Sequence, residues 1–327
     1  MMNRSRRGHR RVSPGAPAGR VPRGRRALAA AAVLALAGCG GEARGTSRDG
    51  KGDAAVTPAV CQVITEAQSL AEGLRETSGI AESRRHPGVY WSHNDSGRDP
   101  DLFAVGADAR DLGHMRVTGA TNTDWEDIGS GPCPDGGPAC LYLADTGNNG
   151  KKHKHVSLWV FPEPEPSATA TVPAVEYRAR FPGEATDIEA LAVLPDGRIF
   201  LVSKGNNDPV KLFRWPTPLR AGVEPALEEV RQLEPKPDQV GDRITGASAS
   251  PDGKWIAVRS YAALALYRTA DLLGSGRPAV QFDLDPLAEP QGEAVSLAND
   301  GNVLLTSEGP GKHLPGTLSR LKCILPQ

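Results

Sequence analysis

The sequence contains a two-strand unit that recurs along the chain, and this repeat constrains the fold more than any other feature. Residues 186–205 (TDIEALAVLPDGRIFLVSKG) contain an apolar run, a Pro-Asp-Gly turn and a second β-branched run, which is typical of two short antiparallel strands. Similar units occupy residues 244–261 and 291–309, and two less regular units begin at residues 77 and 123. Strand repeats of roughly 45–60 residues are typical of β-propellers. The sequence therefore predicts an all-β fold.

Further strand-like segments after each unit allow the blades to be counted. All five units have a third segment, at residues 102–106, 156–161, 210–215, 264–268 and 317–321. Four units have a fourth segment, at residues 114–118, 175–181, 227–233 and 280–284. The last unit lacks one, whereas residues 60–65 form a spare strand that would complete that blade and remove the open edge. We predict a β-propeller of five four-stranded blades closed by this N-terminal strand, with a six-bladed ring and an open β-sandwich as alternatives.

The first 58 residues are predicted to lie outside the propeller. Residues 1–38 combine an arginine-rich start with an Ala/Leu/Val run that is too short to span a bilayer, as in a secretory signal peptide. Leu-Ala-Gly-Cys at 36–39 resembles a bacterial lipobox, which predicts lipidation of Cys39; an ordinary signal peptide with a chance cysteine is the alternative. Residues 39–58 read as a flexible tether. We expect an extracytoplasmic protein anchored to the bacterial cell membrane through lipid on Cys39, with residues 59–327 as one propeller domain.

The other four cysteines are predicted to form two disulfides. Cys133 and Cys140 flank one hairpin loop and should pair locally. Cys61 and Cys323 lie at the two ends of the folded region, and the ends meet if the sheets close into a ring. Both bonds suit an oxidising compartment.

The charge balance argues against nucleic acid as a partner. The formal net charge of −1 includes the basic leader, so the remaining chain is distinctly acidic. An acidic surface repels nucleic acid and is compatible with cations or polar small molecules. The sequence also has no P-loop, GxGxxG or GxSxG motif and no His/Cys cluster with zinc-ligand spacing.

Polar residues concentrate at one end of the predicted hairpins. Since neighbouring strands of a blade are antiparallel, the start of its first strand and the end of its second lie on the same face. The residues before or in the first strands are Glu76, Ser78, Asp124, Glu126, Asp127, Asp187, Glu189, Thr245 and Glu293. Those at the ends of the second strands are His93, Asn94, Asp95, Asp145, Thr146, Ser203, Lys204, Arg259, Ser260, Ser307 and Glu308. They predict a polar funnel mouth around the central channel.

This funnel suggests a hard, oxygen-rich cation site. The predicted ligands of Ca²⁺ or another divalent cation are Glu126, Asp127, Asp145, Glu189 and Glu293. An anionic group of a ligand would be held by Lys204 and Arg259, and His93 would act as general acid or base. The competing interpretation is structural: repeated acidic residues in one register can instead bond the backbone of a neighbouring blade. Trp125 would either line the pocket or pack between blades.

Two resemblances rest on these motifs. SGIAES with HNDSG, TDWEDIG with LYLADTGNN, and TDIEALAVLPDG with FLVSKG resemble secreted bacterial β-propellers labelled phytase-like, or as having esterase-like activity of phytase. That resemblance covers nearly all of residues 76–325 and implies the fold more firmly than an activity. The acidic D-x-D-D-P-A type of run that binds Ca²⁺ in β-propeller phytases is absent, which argues against phytate hydrolysis. The chain is more loosely similar to gluconolactonase and regucalcin-type propellers, which implies one divalent cation at the channel mouth.

Three functions follow from these observations. The first is a membrane-anchored protein that uses the funnel face to bind a small-molecule or protein ligand. The alternative is a divalent-metal-dependent hydrolase of phosphoesters, esters or lactones. The third is a structural envelope protein whose funnel charges only pair with one another.

Overall fold

Twenty strands form five antiparallel four-stranded sheets in the part of the chain that the computed structural model describes, residues 61–311 and 313–326. In chain order the strands are β1 (Cys61–Ser69), β2 (Thr77–Glu82), β3 (Val89–Asn94), β4 (Asp101–Gly106), β5 (Asp111–Arg116), β6 (Trp125–Gly131), β7 (Cys140–Asp145), β8 (His155–Pro162), β9 (Val175–Arg180), β10 (Ile188–Val193), β11 (Ile199–Ser203), β12 (Val210–Trp215), β13 (Glu228–Glu234), β14 (Ile244–Ala249), β15 (Trp255–Ser260), β16 (Ala263–Arg268), β17 (Val280–Asp283), β18 (Gly292–Leu297), β19 (Asn302–Ser307) and β20 (Thr317–Cys323). Short helical turns occupy Val240–Asp242, Thr269–Leu273 (α1) and Asp285–Leu287. Cys39 and the predicted signal peptide and tether lie outside the described residues.

The sheets are the five predicted blades. Blades 1 to 4 are β2–β5, β6–β9, β10–β13 and β14–β17, and blade 5 has the order β18-β19-β20-β1. The first strands pack against one another in sequence, and β18 packs against β2. The ring is therefore closed, which confirms the five-bladed propeller and excludes the six-bladed and sandwich alternatives.

The N-terminal strand closes the ring, as predicted. It pairs antiparallel with the last strand, with Cys61 opposite Cys323 at one end and Ser69 opposite Thr317 at the other. The Cys61–Cys323 disulfide covalently joins the two ends of this pair, and the Cys133–Cys140 disulfide closes the hairpin loop in blade 2. Both predicted disulfides are confirmed.

The core consists of five apolar clusters, one in each space between adjacent blades. The first strands have neighbours on both faces, and β10 (IEALAV) is buried along its whole length. The outer strand β9 has mostly exposed or half-buried residues, because only one edge of it is covered. Trp125 is fully buried in the cluster between blades 1 and 2, so it packs between blades rather than lining a pocket.

The turns at the far ends of the hairpins follow the sequence closely. Gly197, Gly253 and Gly301 have φ angles of 84°, 69° and 82°, which glycine adopts without strain. The preceding aspartates accept backbone N–H bonds two residues later, for example Asp196 Oδ1 from Arg198 N at 3.1 Å. Among the described residues, no helix has the length and apolar character needed to cross a membrane.

Candidate metal centre

Each blade has the same irregularity at the start of its first strand. In blade 1 the pairing passes from Thr77–Asn94 directly to Gly79–His93, which leaves one extra residue on the first strand. The same shift occurs in the other four blades. The extra residues of the five bulges are Ser78, Glu126, Glu189, Thr245 and, by position, Glu293. A bulge redirects a side chain out of the regular alternation, so these five positions supply one polar side chain each to the channel mouth.

Three carboxylates from two of these blades converge. Glu126, Asp187 and Glu189 each have an oxygen within 4.8 Å of the others, and all three residues are at least 94% buried (exposed fractions 6%, 6% and 1%). Glu189 Oε2 is 2.8 Å from Lys204 Nζ, and Asp187 Oδ1 accepts a 2.6 Å bond from Asn148 N. The second oxygens, Glu189 Oε1 and Asp187 Oδ2, are buried without a hydrogen-bond partner among the described residues, as is Thr245 Oγ1. Buried acceptors of this kind are costly unless a ligand satisfies them.

A second group of carboxylates extends the site towards solvent. Asp95 and Asp124 lie with Glu126 in a cluster whose oxygens are again within 4.8 Å of one another. The backbone of Gly147 passes directly beside it, since a Cβ atom there would collide with Glu126 Oε1 and Asp124 Oδ2. The glycine of the ADTGNN segment is therefore required for the carboxylates to approach this loop.

The funnel mouth holds more carboxyl groups than cationic groups, and their pKa values are raised. Burial raises the pKa of Glu189 to about 8. The charge of Lys204 acts to lower this pKa, and the charge of Asp187 acts to raise it. Burial and Glu189 hold the pKa values of Glu126 and Glu293 well above their ordinary value. Lys204 stays protonated: burial lowers its pKa, but Glu189 and neighbouring acidic groups outweigh this and raise it. One ammonium group does not balance these carboxylates.

Nearer the solvent, two half-buried carboxyl groups show the same effect. Burial together with the charge of Asp95 raises the pKa of Asp124 to about 6 and that of Glu308 to about 7. A divalent cation would displace protons from these groups and balance the charges of the carboxylates.

Two further predicted metal ligands have partners within the protein. The Asp127 side chain is fully buried: Oδ1 accepts from Ile128 N at 2.8 Å, and Oδ2 accepts from Leu191 N at 2.8 Å and Ala247 N at 3.1 Å. It thereby joins blade 2 to blades 3 and 4. Asp145 Oδ1 accepts from Asp124 N at 2.8 Å, and its Oδ2 lies 3.3 Å from Trp159 Nε1.

The remaining predicted ligand, Glu293, lies in the same mouth. Its side chain is 95% buried, and Oε1 accepts a 2.7 Å bond from Gln291 Nε2. The same amide donates to Glu308 Oε1 at 2.8 Å. Gln291 thus joins the bulge carboxylate of blade 5 to the carboxylate at the end of that blade's second strand.

The predicted anion-binding arginine and the predicted base are buried. Arg259 is fully buried, and its guanidinium donates to Ala294 O, Thr306 O and the carboxylate of Glu289. His93 is fully buried edge-on to Trp125, and burial lowers its pKa to about 4. Neither side chain is exposed at the funnel mouth.

Sequence reasoning placed Asp95, Asp124 and Asp187 in the funnel but did not select them as metal ligands. Their neighbours Asp127 and Asp145 have the same chemistry, and spacing alone does not show which carboxylates bond to backbone. The buried partner of Arg259, Glu289, was missed altogether because it lies outside the repeated unit. The glycine of the ADTGNN segment is the sequence signal that could have indicated the close approach of Gly147 to the carboxylates.

Comparisons with known proteins identify no family. No protein-family model matches the chain, and no curated protein is significantly similar to it. Among solved structures, it is similar to the PQQ-bound aldose sugar dehydrogenase from Streptomyces coelicolor (13% identity, 81% of this chain and 98% of that chain, TM-score 0.48). It is also similar to the gluconolactonase XC5397 from Xanthomonas campestris (14%, 82% and 99%, TM-score 0.44) and to a glucose dehydrogenase (13%, 78% and 98%, TM-score 0.48).

A gluconolactonase is thus among the matched structures, as the looser resemblance implied, whereas the phytase-like family is not confirmed. At these identities and TM-scores, we assign no residue of this chain from them.

Proposed function

We propose that the protein is a divalent-cation-dependent hydrolase of small esters, lactones or phosphoesters, with its site at the funnel mouth. The observation that carries this proposal is the buried trio Glu126, Asp187 and Glu189, two of whose oxygens have no hydrogen-bond partner within residues 61–311 and 313–326. Buried carboxylates this close to one another need a counter-charge, and their unpartnered oxygens can provide its ligands.

The donor set fits a hard cation such as Ca²⁺. Every candidate ligand is an oxygen, and Ca²⁺ takes about six to eight oxygen ligands in flexible geometry. Glu126, Asp187 Oδ2 and Glu189 Oε1 would hold the ion from the inside, with Asp95 and Asp124 on the solvent side. Lys204 fixes the other oxygen of Glu189 and so orients Oε1 towards the ion position.

The chemistry needs three contributions from the site. A bound divalent cation polarises a carbonyl or phosphoryl oxygen and lowers the pKa of water. Glu308, at the same mouth, has a carboxyl pKa of about 7, raised by burial and neighbouring charges, which suits a general base for water attack. Gln291 holds this carboxylate by a 2.8 Å bond and therefore positions the base.

The second candidate is a ligand-binding protein without chemistry. It is favoured by the burial of His93 and Arg259, which leaves the mouth without the base and the anion-binding arginine that the sequence suggested. In this case the cation would hold a small-molecule or protein ligand directly.

Activity measurements separate the two candidates. The full-length protein is assayed with lactone, carboxylic ester and phosphoester substrates, in Ca²⁺ and in chelator, beside Glu126→Gln and Glu308→Gln variants. A hydrolase loses activity in chelator and in both variants, while Glu308→Gln keeps its Ca²⁺ affinity. Ca²⁺ binding without turnover of any substrate would favour the binding protein, and absence of Ca²⁺ binding would remove both.

We further propose that the protein is extracytoplasmic and anchored to the bacterial cell membrane by lipid on Cys39. The lipobox-like residues 36–39 and the tether at 39–58 support this, and the two disulfides suit an oxidising compartment. Labelled palmitate should be incorporated into the wild-type protein and not into a Cys39→Ala variant. Equal labelling of both proteins would contradict the assignment.

A further inference from the structure

A separate cavity of about 490 Å³ lies at the opposite end of the central channel. Its wall contains residues from the first strands of all five blades, among them Gly129, Ser248 and Ser296. The Asp127 carboxylate bonds to the N–H groups of Leu191 and Ala247, two residues that also line the cavity. Asp127 therefore separates this cavity from the bulge residues at the funnel mouth.

Two opposite charges line the cavity without pairing. Glu82 Oε2 is buried and has no hydrogen-bond partner in the described part of the chain. The Arg84 side chain makes only a long 3.4 Å bond, from Nε to Ser130 Oγ, among the described residues. Within residues 61–311 and 313–326, its two Nη groups make no hydrogen bond and no ion pair joins Arg84 to Glu82.

Burial acts on both groups in the direction expected for charges that lack solvent. It raises the pKa of Glu82 and lowers that of Arg84, although Glu163, Tyr142 and Glu82 partly offset the shift at the arginine. Both side chains are half-buried, so they are reached from solvent at this end of the channel. A ligand that formed hydrogen bonds with both Glu82 and Arg84 would offset the free-energy cost of burying each group.

We propose that this cavity is a second binding site, for a small organic acid that carries hydroxyl groups. The guanidinium of Arg84 offers a planar donor pair that matches a carboxylate. Glu82 accepts from ligand hydroxyl groups, and Ser130 and Ser296 line the same cavity. The volume lies within the range of about 300–1,000 Å³ that is usual for small-molecule sites. This inference does not depend on the cation site or on hydrolysis.

Calorimetry on the full-length protein in chelator tests the proposal, with D-galactonate as the probe. Galactitol lacks the carboxylate and hexanoate lacks the hydroxyl groups, so both should bind at least roughly 10-fold more weakly than D-galactonate. Arg84→Gln should weaken D-galactonate binding by a similar factor. The matched control is Arg85→Gln, since Arg85 pairs with Glu165 and does not line the cavity.

Further variants fix the location. Ser296→Val removes a hydroxyl group, and valine is a residue that strands accept. This variant should also weaken D-galactonate binding, and it provides the test if Arg84→Gln does not fold. Glu126→Gln at the funnel mouth should leave D-galactonate binding unchanged. Absence of D-galactonate binding at millimolar concentration, unchanged binding in Ser296→Val and Arg84→Gln, or loss in Glu126→Gln would each overturn the proposal.

Discussion

Glu126 and Glu189 occupy the same bulge position in neighbouring blades, and their carboxylate oxygens lie within 4.8 Å of each other. Two buried carboxylates at this distance repel each other, and each raises the energy of ionising the other. Lys204 pairs with only one of them, at 2.8 Å from Glu189. The repeat that builds the propeller therefore also creates a site with more acidic than basic groups, in which ionisation of the acidic groups is disfavoured.

Removing one of these charges should stabilise the protein when no cation is present. We expect Glu126→Gln to raise the free energy of unfolding in chelator by roughly 1 kcal/mol, because burial and repulsion both disfavour the charged form. Denaturant unfolding at pH 8 measures this change. Glu229→Gln, at an exposed strand position, serves as the control and should stay within about 0.5 kcal/mol of wild type. A marked loss of stability in Glu126→Gln would mean that this carboxylate is a structural bond acceptor.

Stability without a cation should fall as pH rises from the ordinary glutamate pKa of 4.5 to about 8. The pKa values of Glu308 and Glu189 are raised from 4.5 to about 7 and about 8, so the folded state binds more protons than the unfolded state up to these values. Stability then decreases with pH across this window. His93 acts in the opposite direction, since its pKa is lowered from 6.5 to about 4, but its contribution is complete above pH 6.5.

Melting temperatures in chelator between pH 6.5 and pH 8 test the sign of this dependence. We expect a decline in chelator that saturating Ca²⁺ reduces or removes. A melting temperature that rises over this interval in chelator would contradict the raised pKa values of Glu189 and Glu308.

Gly147 should not tolerate a side chain. Its Cβ position overlaps the carboxylates of Glu126 and Asp124, so Gly147→Ala must displace the loop or the ligands. We expect a cost of about 1–3 kcal/mol in unfolding free energy together with weaker Ca²⁺ binding. Gly183→Ala is the matched control, because no atom lies within 4 Å of its Cβ position. Equal behaviour of the two variants would show that the loop does not support the site.

The two disulfides should differ in their contribution to stability. Cys61 and Cys323 are separated by 262 residues, whereas Cys133 and Cys140 are separated by 7. Chain-entropy estimates give about 5.5 kcal/mol for the long loop and about 2.5 kcal/mol for the short one. Double Cys→Ala variants of each pair, compared by denaturant unfolding, measure the difference. A smaller effect for the ring-closing pair would indicate that strand β1 holds blade 5 without it.

The sequence predicted the architecture because every blade repeats the same turn and strand chemistry. Asp-Gly turns, buried first strands and the spare strand predicted at residues 60–65 all indicate the same closed ring, and the structure agrees. Within the site, the spacing of the repeats correctly predicted that Glu126 and Glu189 lie on the same face.

The roles of single residues could not be predicted in the same way. Asp127 lies one position past Glu126, yet its carboxylate accepts backbone N–H groups from two other blades. Arg259 appeared available for an anion, but it is bound to Glu289, a residue outside the repeat. The roles of these residues depend on contacts between blades, and the repeat pattern within one blade does not predict those contacts.

The most direct test of the central claim is Ca²⁺-dependent melting of the full-length protein, purified with its disulfides formed. At a Ca²⁺ concentration about 100-fold above Kd, we expect the melting temperature of the wild type to rise by roughly 5 °C or more. The Glu126→Gln variant should lose this shift, while Glu229→Gln should retain it. An unchanged wild-type melting temperature, with no metal found in the purified protein, would contradict a cation site at the funnel mouth.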